Sequence, residues 1–330
     1  MANAYTGTGD VNAISKYYSK VFLERLQPGP IVANYCVKKA LPLNEGKVVY
    51  FPRMTVSSTM VSAYKVTEGT LTTTEKIGDA QVSATVEQFA NAKALWDLTG
   101  LTAINSTVEE TIKELADQAK NILDKRIIEE AIGNSTAGGL VTQSGFSCLV
   151  YNTASGAQPA TDAKISAWGT YLGVTEYAMT AKTLRYAAKI LKRRNVAPQD
   201  DGYYTLICHS DTAMQLQADT TWQAAYQYTD PENMRKGVAG TYAGIKVQID
   251  NNIKISAYGS NGAYIYHSLL LGRGAMGVTE LNGGVKTYTV NNGADKFDPV
   301  DQFISFGWKA NMVPVRLNLS AGAIVMTCDE

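Results

Sequence analysis

The chain has 330 residues, of which 45% are hydrophobic, and its 30 basic side chains balance 30 acidic ones. This excludes a wholly disordered chain and suits one large core, or a core with satellite lobes. Balanced charge gives no reason to expect a sequence-reading DNA binder, and the apolar runs are far too short to span a bilayer. The cysteines Cys36, Cys148, Cys208 and Cys328 are widely spaced and, with only 2 histidines, offer no zinc pattern. Free thiols in a reducing compartment are expected, with no metal and no cofactor. The 19 tyrosines suit partly wet contacts with a partner.

Residues 1–13 are small and polar, without the charged and apolar regions of a secretory signal. Asn12–Leu26 reads as a short helix with Ile14, Tyr17, Tyr18, Val21, Phe22 and Leu26 on its apolar side, ended by Pro28, Gly29 and Pro30. It has too little core of its own, so it is expected to pack on the body or on a neighbour. Lys47–Met54 reads as a strand that Pro52 confines to an edge or bulge. Gln81–Phe89 alternates Val82, Ala84 and Val86 against Ser83, Thr85 and Glu87, the pattern of a half-buried strand. Between them, Thr55–Ala80 is mostly polar, with Tyr64, Val66, Leu71 and Ile77 among its few apolar side chains. That span is too long for a hairpin turn and too polar for a domain. A two-stranded ribbon ordered against another subunit is expected, the bland alternative being a surface loop.

Ser106–Gly133 predicts the longest helix. Ser106 and Glu109 form a capping-box pattern, and Gly133 is placed as a C-cap. Val108, Ile112, Leu115, Ala119, Ile122, Leu123, Ile127 and Ala131 recur at steps of three and four, giving one apolar face. Its packing stripe is read at Ile112, Leu115, Ala119 and Ile122. Two helices are expected at 163–174 and 178–194. In the second, Leu184, Ala187, Ala188 and Leu191 face inward, while Lys182, Arg185, Lys189 and Lys192 form a basic stripe outside. Gly202–Cys208 reads as a strand, followed by a helix at His209–Gln217 capped by Ser210 or Asp211. Pro231–Gly240 is turn-rich. Strands are expected at Ile245–Ile249, Asn252–Tyr258, Ala263–Leu271, Gly284–Val290, Phe303–Ala310 and, with an internal break, Val313–Cys328. Long helix, short helices and many non-repeating strands make the class α+β.

Few residues carry a recognisable chemical motif. Cys208-His209-Ser210-Asp211 has the residue types of a nucleophilic site, but groups adjacent in sequence seldom face one another. His209 is therefore read as structural, and His267 as a strand side chain. No G-x-G-x-x-G opens a helix and no phosphate-binding loop with its Lys is present. The basic stripe has two readings, a contact to another subunit or a non-specific contact to DNA phosphates.

Several strings carry a resemblance: YKVTEGTLTTTEKIGDAQVSATVEQFANAKALWDLTGLTAI, LRYAAKILKRRNVAPQDDGYYTLICHSDTAMQLQADTTWQAA, GVAGTYAGIKV, LLLGRGAMGV and DPVDQFISFGWKA. In this order and spacing the chain, after its first ten or so residues, resembles tailed-phage major capsid proteins of the HK97-like fold, N4-type most closely. The resemblance implies an N-terminal arm over 1–40 and an extended loop with its flanking strands over 41–95. It implies a peripheral domain over 96–160 with spine helix 106–133, a mainly axial domain over 161–290, and peripheral-domain strands over 291–330. Tyr64, Val66, Leu71 and Ile77 would then touch the adjacent subunit. The implied function is structural, not enzymatic: pentamers and hexamers of an icosahedral shell around double-stranded DNA, built in the host bacterial cytoplasm and ending in the virion. Implied partners are further copies of the chain, a portal, decoration proteins and the packaged DNA, with no membrane. A spine helix starting near 106 leaves no room for a cleavable scaffolding segment, so a separate scaffolding protein is expected. No crosslink-forming Lys and Asn can be matched. An encapsulin-type compartment, which shares the fold, is the alternative; an enzyme of unrecognised chemistry is a further one.

Overall fold

The computed structural model describes residues 19–26, 30–41, 46–55, 68, 78–96, 107–133, 145–149, 177–229, 240–257, 264–290 and 302–328. Tyr64, Val66, Leu71 and Ile77 lie outside the described residues, as do Ser106, the helix expected at 163–174 and most of the turn at 231–240.

Helix α1 covers residues 19–26, and the long helix α2 runs Thr107–Ile132. Ile112, Leu115, Ala116, Ala119, Leu123, Ile127, Ile128, Ala131 and Ile132 form the buried face of α2. Full burial of one such large aliphatic side chain contributes about 1.5–3 kcal/mol. Ile122 is only half-buried and packs on the edge of the same cluster, because Leu123 takes the centre of the face at that turn. Gly133 ends the helix with φ +85° and its N–H on Glu129 O at 2.9 Å, a left-handed conformation that costs glycine little.

Beneath α2 lies a four-stranded sheet in the order β1-β11-β12-β4: β1 Val37–Leu41, β11 Met276–Val290, β12 Phe303–Arg316 and β4 Glu87–Trp96. Phe306, Trp308, Ala310 and Met312 alternate along β12 and join the α2 core. Strands expected at Phe303–Ala310 and from Val313 are thus one strand, with Pro314 opposite Val278. Val313 and Val315 turn to the opposite face, where Val49 and Phe51 cover them. These two come from β2 (Val48–Thr55), which among the described strands pairs with β3 (Gly78–Thr85) alone, in an antiparallel ribbon. Chain 81–89, expected as one strand, breaks at Val86, where it passes from the ribbon to the sheet.

The second sheet has the order β5-β13-β10-β6-β8-β7, with β9 also on β10. Its strands are β5 Ser147–Leu149, β6 Tyr204–Cys208, β7 Thr241–Tyr242, β8 Ile245–Ile249, β9 Ile255–Ala257, β10 Tyr264–Leu271 and β13 Gly322–Cys328. Successive residues serve opposite cores: Ile207, Leu269 and Ile324 join the α2 side, while Leu206, Leu270 and Val325 join the side of α3 (Ala181–Arg193). Both faces are covered, so β13 is buried throughout and reads as a continuous apolar run. Helices α4 (Ser210–Ala218) and α5 (Thr220–Thr229) follow β6. Asp219 caps two helices at once, accepting from Thr221 N at 2.9 Å and from Ala181 N at 2.7 Å. The cap of α4 is His209, not Ser210 or Asp211: its Nδ1 accepts from Asp211 N at 3.3 Å.

Candidate assembly surfaces

Three features of the chain stand out on this double core. The first is the arm. Phe22 on α1 is 97% removed from solvent and joins Ile112, Leu115 and Phe306 in the core. Arg25 grips Asp117 of α2 through three N–H···O contacts of 3.0–3.2 Å. Six residues on, Ile31 N and then Val32 N each donate to the Asp124 carboxylate at 3.1 Å. A 3₁₀ turn at Val32–Tyr35 follows, and then β1, so the described residues of this N-terminal segment pack on their own chain.

The second is the ribbon. Eight residue pairs, from Val48↔Thr85 to Thr55↔Gly78, build it, about 25 Å of strand. Its base is fixed: Lys39 Nζ donates to Tyr50 O at 2.7 Å and lies 5.3 Å from the Phe51 ring centre. Phe51 reaches this place because Gly277 has no side chain; a Cβ there would stand 3.2 Å from the ring and 3.1 Å from Leu317. The outer face exposes Val48 and Tyr50.

The third is the basic face of α3. Lys182, Arg185, Lys189 and Lys192 are all exposed on the side opposite the buried Leu184, Ala187, Ala188 and Leu191. Arg185, Lys189, Lys192 and Arg193 line an open depression closed at one side by the Ala243-Gly244 turn. Arg185 donates to the Tyr242 hydroxyl and packs 5.3 Å from its ring centre. Asp200 and Asp201, which follow α3 in sequence, pair instead with Arg273 at 3.3 Å and Lys246 at 3.1 Å. Among the described residues, no carboxylate pairs with Lys182, Lys189, Lys192 or Arg193.

The nucleophile-like string is a helix cap. Ser210 Oγ lies 3.4 Å from His209 Nδ1 and donates to Asp211 Oδ1 at 3.3 Å, while Tyr266 donates to Asp211 Oδ2 at 2.6 Å and stacks on His209. The Cys208 thiol is buried, which pushes its pKa up to about 12, so it stays protonated and is a poor nucleophile. His267 is buried with Nε2 on Ser256 Oγ at 2.9 Å; burial first, then Lys254, lowers its pKa to about 4. All four cysteines are free, and no group of three or more His, Cys, Asp or Glu among the described residues could hold a metal ion. No described helix is long and apolar enough to cross a membrane.

No family model matches the chain, and no curated protein matches it by sequence. Solved structures do match by shape. A chain of the cyanophage Pam1 capsid superposes with TM-score 0.66, 13% identity and 93% of each chain covered. That of Ralstonia phage GP4 gives TM-score 0.64 at 13% identity, over 90% of this chain and 87% of the other. The capsid of cyanophage P-SCSP1u gives TM-score 0.60 at 15% identity, with the same coverage. The fold is that of HK97-like capsid proteins.

Several residues that hold this capsid fold together were not singled out in the sequence. On β4 the half-buried positions are Phe89, Asn91, Lys93 and Leu95. Two of the four are polar because their partners on α2 are polar: Asn91 donates to Gln118 at 2.6 Å, and Lys93 pairs with Glu114. At the other end of β4, Glu87 binds Arg126, whose guanidinium holds the Glu87 carboxyl below its usual range. Arg126 also meets Glu130, and Glu130 binds Arg316 of β12 at 3.1 Å, linking helix to two strands. The i,i+4 spacing of Arg126 and Glu130 was the only local signal for this network.

Proposed function

We propose that this chain is the major structural subunit of a viral capsid, in the N4-type group of tailed-phage capsid proteins. The observation that carries the reading is the likeness in fold to phage capsid proteins over about nine-tenths of both chains. A shell protein needs surfaces rather than a pocket, and the arm, the ribbon and the basic face are surfaces. In this reading, copies assemble as pentamers and hexamers of an icosahedral shell around double-stranded DNA, in the host bacterial cytoplasm, and end in the virion. Residues 1–40 act as the arm, 41–95 as the extended loop, α2 as the spine of a peripheral domain over 96–160, 161–290 mainly as the axial domain, and 291–330 as returning strands. Tyr64, Val66, Leu71 and Ile77 contact the adjacent subunit, while Ile112, Leu115, Ala119 and Ile122 seat the spine helix. Lys182, Arg185, Lys189 and Lys192 meet carboxylates of a neighbour rather than DNA, because a densely packed genome needs little adhesion to its container. A scaffolding protein, a portal and decoration proteins complete the partners, and DNA contact is non-specific.

The test is mass spectrometry of gradient-purified virions from the virus that carries this chain. The chain is expected as the most abundant protein of the DNA-containing particles; its absence from them contradicts the proposal.

A further inference from the structure

Asp124 sits at the middle of α2 with no exposed surface, and Asp250, in the turn after β8, is 4% exposed. Three of their four carboxylate oxygens have clear partners. Val32 N and Ile31 N donate to Asp124 Oδ1 and Oδ2 at 3.1 Å each, and Asn252 N donates to Asp250 Oδ1 at 2.9 Å. The fourth, Asp250 Oδ2, is buried and meets no N–H or O–H donor. The Asp124 carboxyl lies within hydrogen-bonding reach of the Asp250 carboxyl, and two carboxyl groups so placed can bond only through a shared proton. A cation is a poor substitute, because three of the oxygens already face backbone N–H groups and, among the described residues, no third acidic or imidazole ligand stands by.

The pair joins three parts of the fold that are distant in sequence: the N-terminal segment at Ile31–Val32, the long helix, and the end of β8 in the second sheet. Asn252 Nδ2 strengthens the last junction by donating to Asn121 of α2 at 3.3 Å. We infer that Asp124 and Asp250 form a proton-operated latch, which holds the arm and the β8 turn on α2 while the proton is shared and loosens them when it is lost to water. The inference concerns the single subunit and does not rest on the capsid reading.

The surrounding groups leave the pair in charge of its own titration. From the arm, the nearby ionisable group is Cys36, whose thiol burial pushes up to about 12, with Lys38 beyond it. From the β8 turn it is Lys254, which faces Glu129 of α2, and from β10 it is His267, neutral above about 4. Arg126, two residues along α2, is engaged with Glu87 and Glu130. Burial first, then the Asp250 hydrogen bond and charge, push the Asp124 carboxyl up to about 7, against the two backbone N–H groups that favour its ionised form. A carboxyl raised in the folded state contributes its stability in full below the unfolded value of 3.8 and loses it as pH rises through about 7. The latch is therefore closed in weak acid and open in weak base. Global stability mixes in the opposite slope of His267, whose lowered folded pKa contributes stability above 6.5 that is lost as pH falls through about 4. A local readout is needed.

The experiment is amide exchange at Ile31 and Val32 in the full chain, held in one assembly state and corrected for the intrinsic pH dependence of exchange. Protection is expected to fall by about tenfold to a hundredfold between pH 5 and 8. Asp250→Asn puts a permanent N–H donor in place of the proton, so its protection is expected to stay level over the same range. A level wild-type profile, or an Asp250→Asn slope equal to the wild type's, overturns the latch. Should Asp250→Asn not fold, infrared spectra of the wild type decide. A buried protonated-carboxyl band that titrates away between pH 5 and 8 is expected, and its absence overturns the proposal.

Discussion

At the scale of single residues, the α2 face shows what apolar spacing can and cannot tell. The steps from Ile112 to Ala131 were legible because helical periodicity is local, but the spacing could not say which of Ile122 and Leu123 takes the centre. The structure buries Leu123 to 5% exposure and leaves Ile122 half-buried. Ile127→Asp places a carboxylate at a site with no exposed surface and is expected to cost several kcal/mol. Ile122→Asp, able to turn its charge to solvent, is expected to cost less than half as much, and Lys125→Gln on the exposed face about 0.5 kcal/mol or less. Denaturant midpoints of the three variants check the order; equal losses for Ile127→Asp and Ile122→Asp would contradict it. The caps were harder to read. His209 caps α4 through its ring nitrogen, a role seldom given to histidine, and Asp219 serves both its own helix start and that at Ala181, 38 residues before it. Neither role has a local signature.

At the scale of elements, strands with an apolar face were found, and a strand held by polar partners was cut short. β4 runs to Trp96 because Asn91 and Lys93 answer Gln118 and Glu114 on α2, a pairing visible only when helix and strand are together. The ribbon was legible from the opposite signal, a polar span with too little apolar surface to fold alone. Its paired base is anchored by Phe51 and Lys39, so the base does not need the tip in order to form. Replacing residues 66–77 by a short Gly/Ser linker is therefore expected to leave the circular dichroism of the subunit unchanged while abolishing shells in particle counts. Normal shells from that variant would remove the ribbon from assembly. The same counts test the α3 stripe. Changing Lys182, Arg185, Lys189 and Lys192 to Gln is expected to lower shell yield before any genome enters, whereas normal empty shells that fail only to retain DNA would assign the stripe to phosphates.

At the scale of the whole molecule, composition and element order gave the α+β class, but strand order is not written locally. β10 sits between β13 and β6, partners 50 or more residues away in sequence, and β12 pairs with β4 at positions more than 200 residues apart. The resemblance to capsid proteins implied domain ranges and no strand order, so this arrangement was legible only in the folded chain. What results is a double core with two surfaces that, among the described residues, the single chain leaves incompletely used: the exposed Val48 and Tyr50 of the ribbon, and Lys182, Lys189, Lys192 and Arg193 of α3. The central claim is that those surfaces are completed by other copies of the chain. Cryo-electron microscopy of particles formed by the purified protein tests it most directly. The account predicts closed shells of five- and six-membered rings in which each ribbon crosses a neighbouring subunit. A protein that remains monomeric under every assembly condition tried, or shells in which the ribbon folds back on its own subunit, would contradict it.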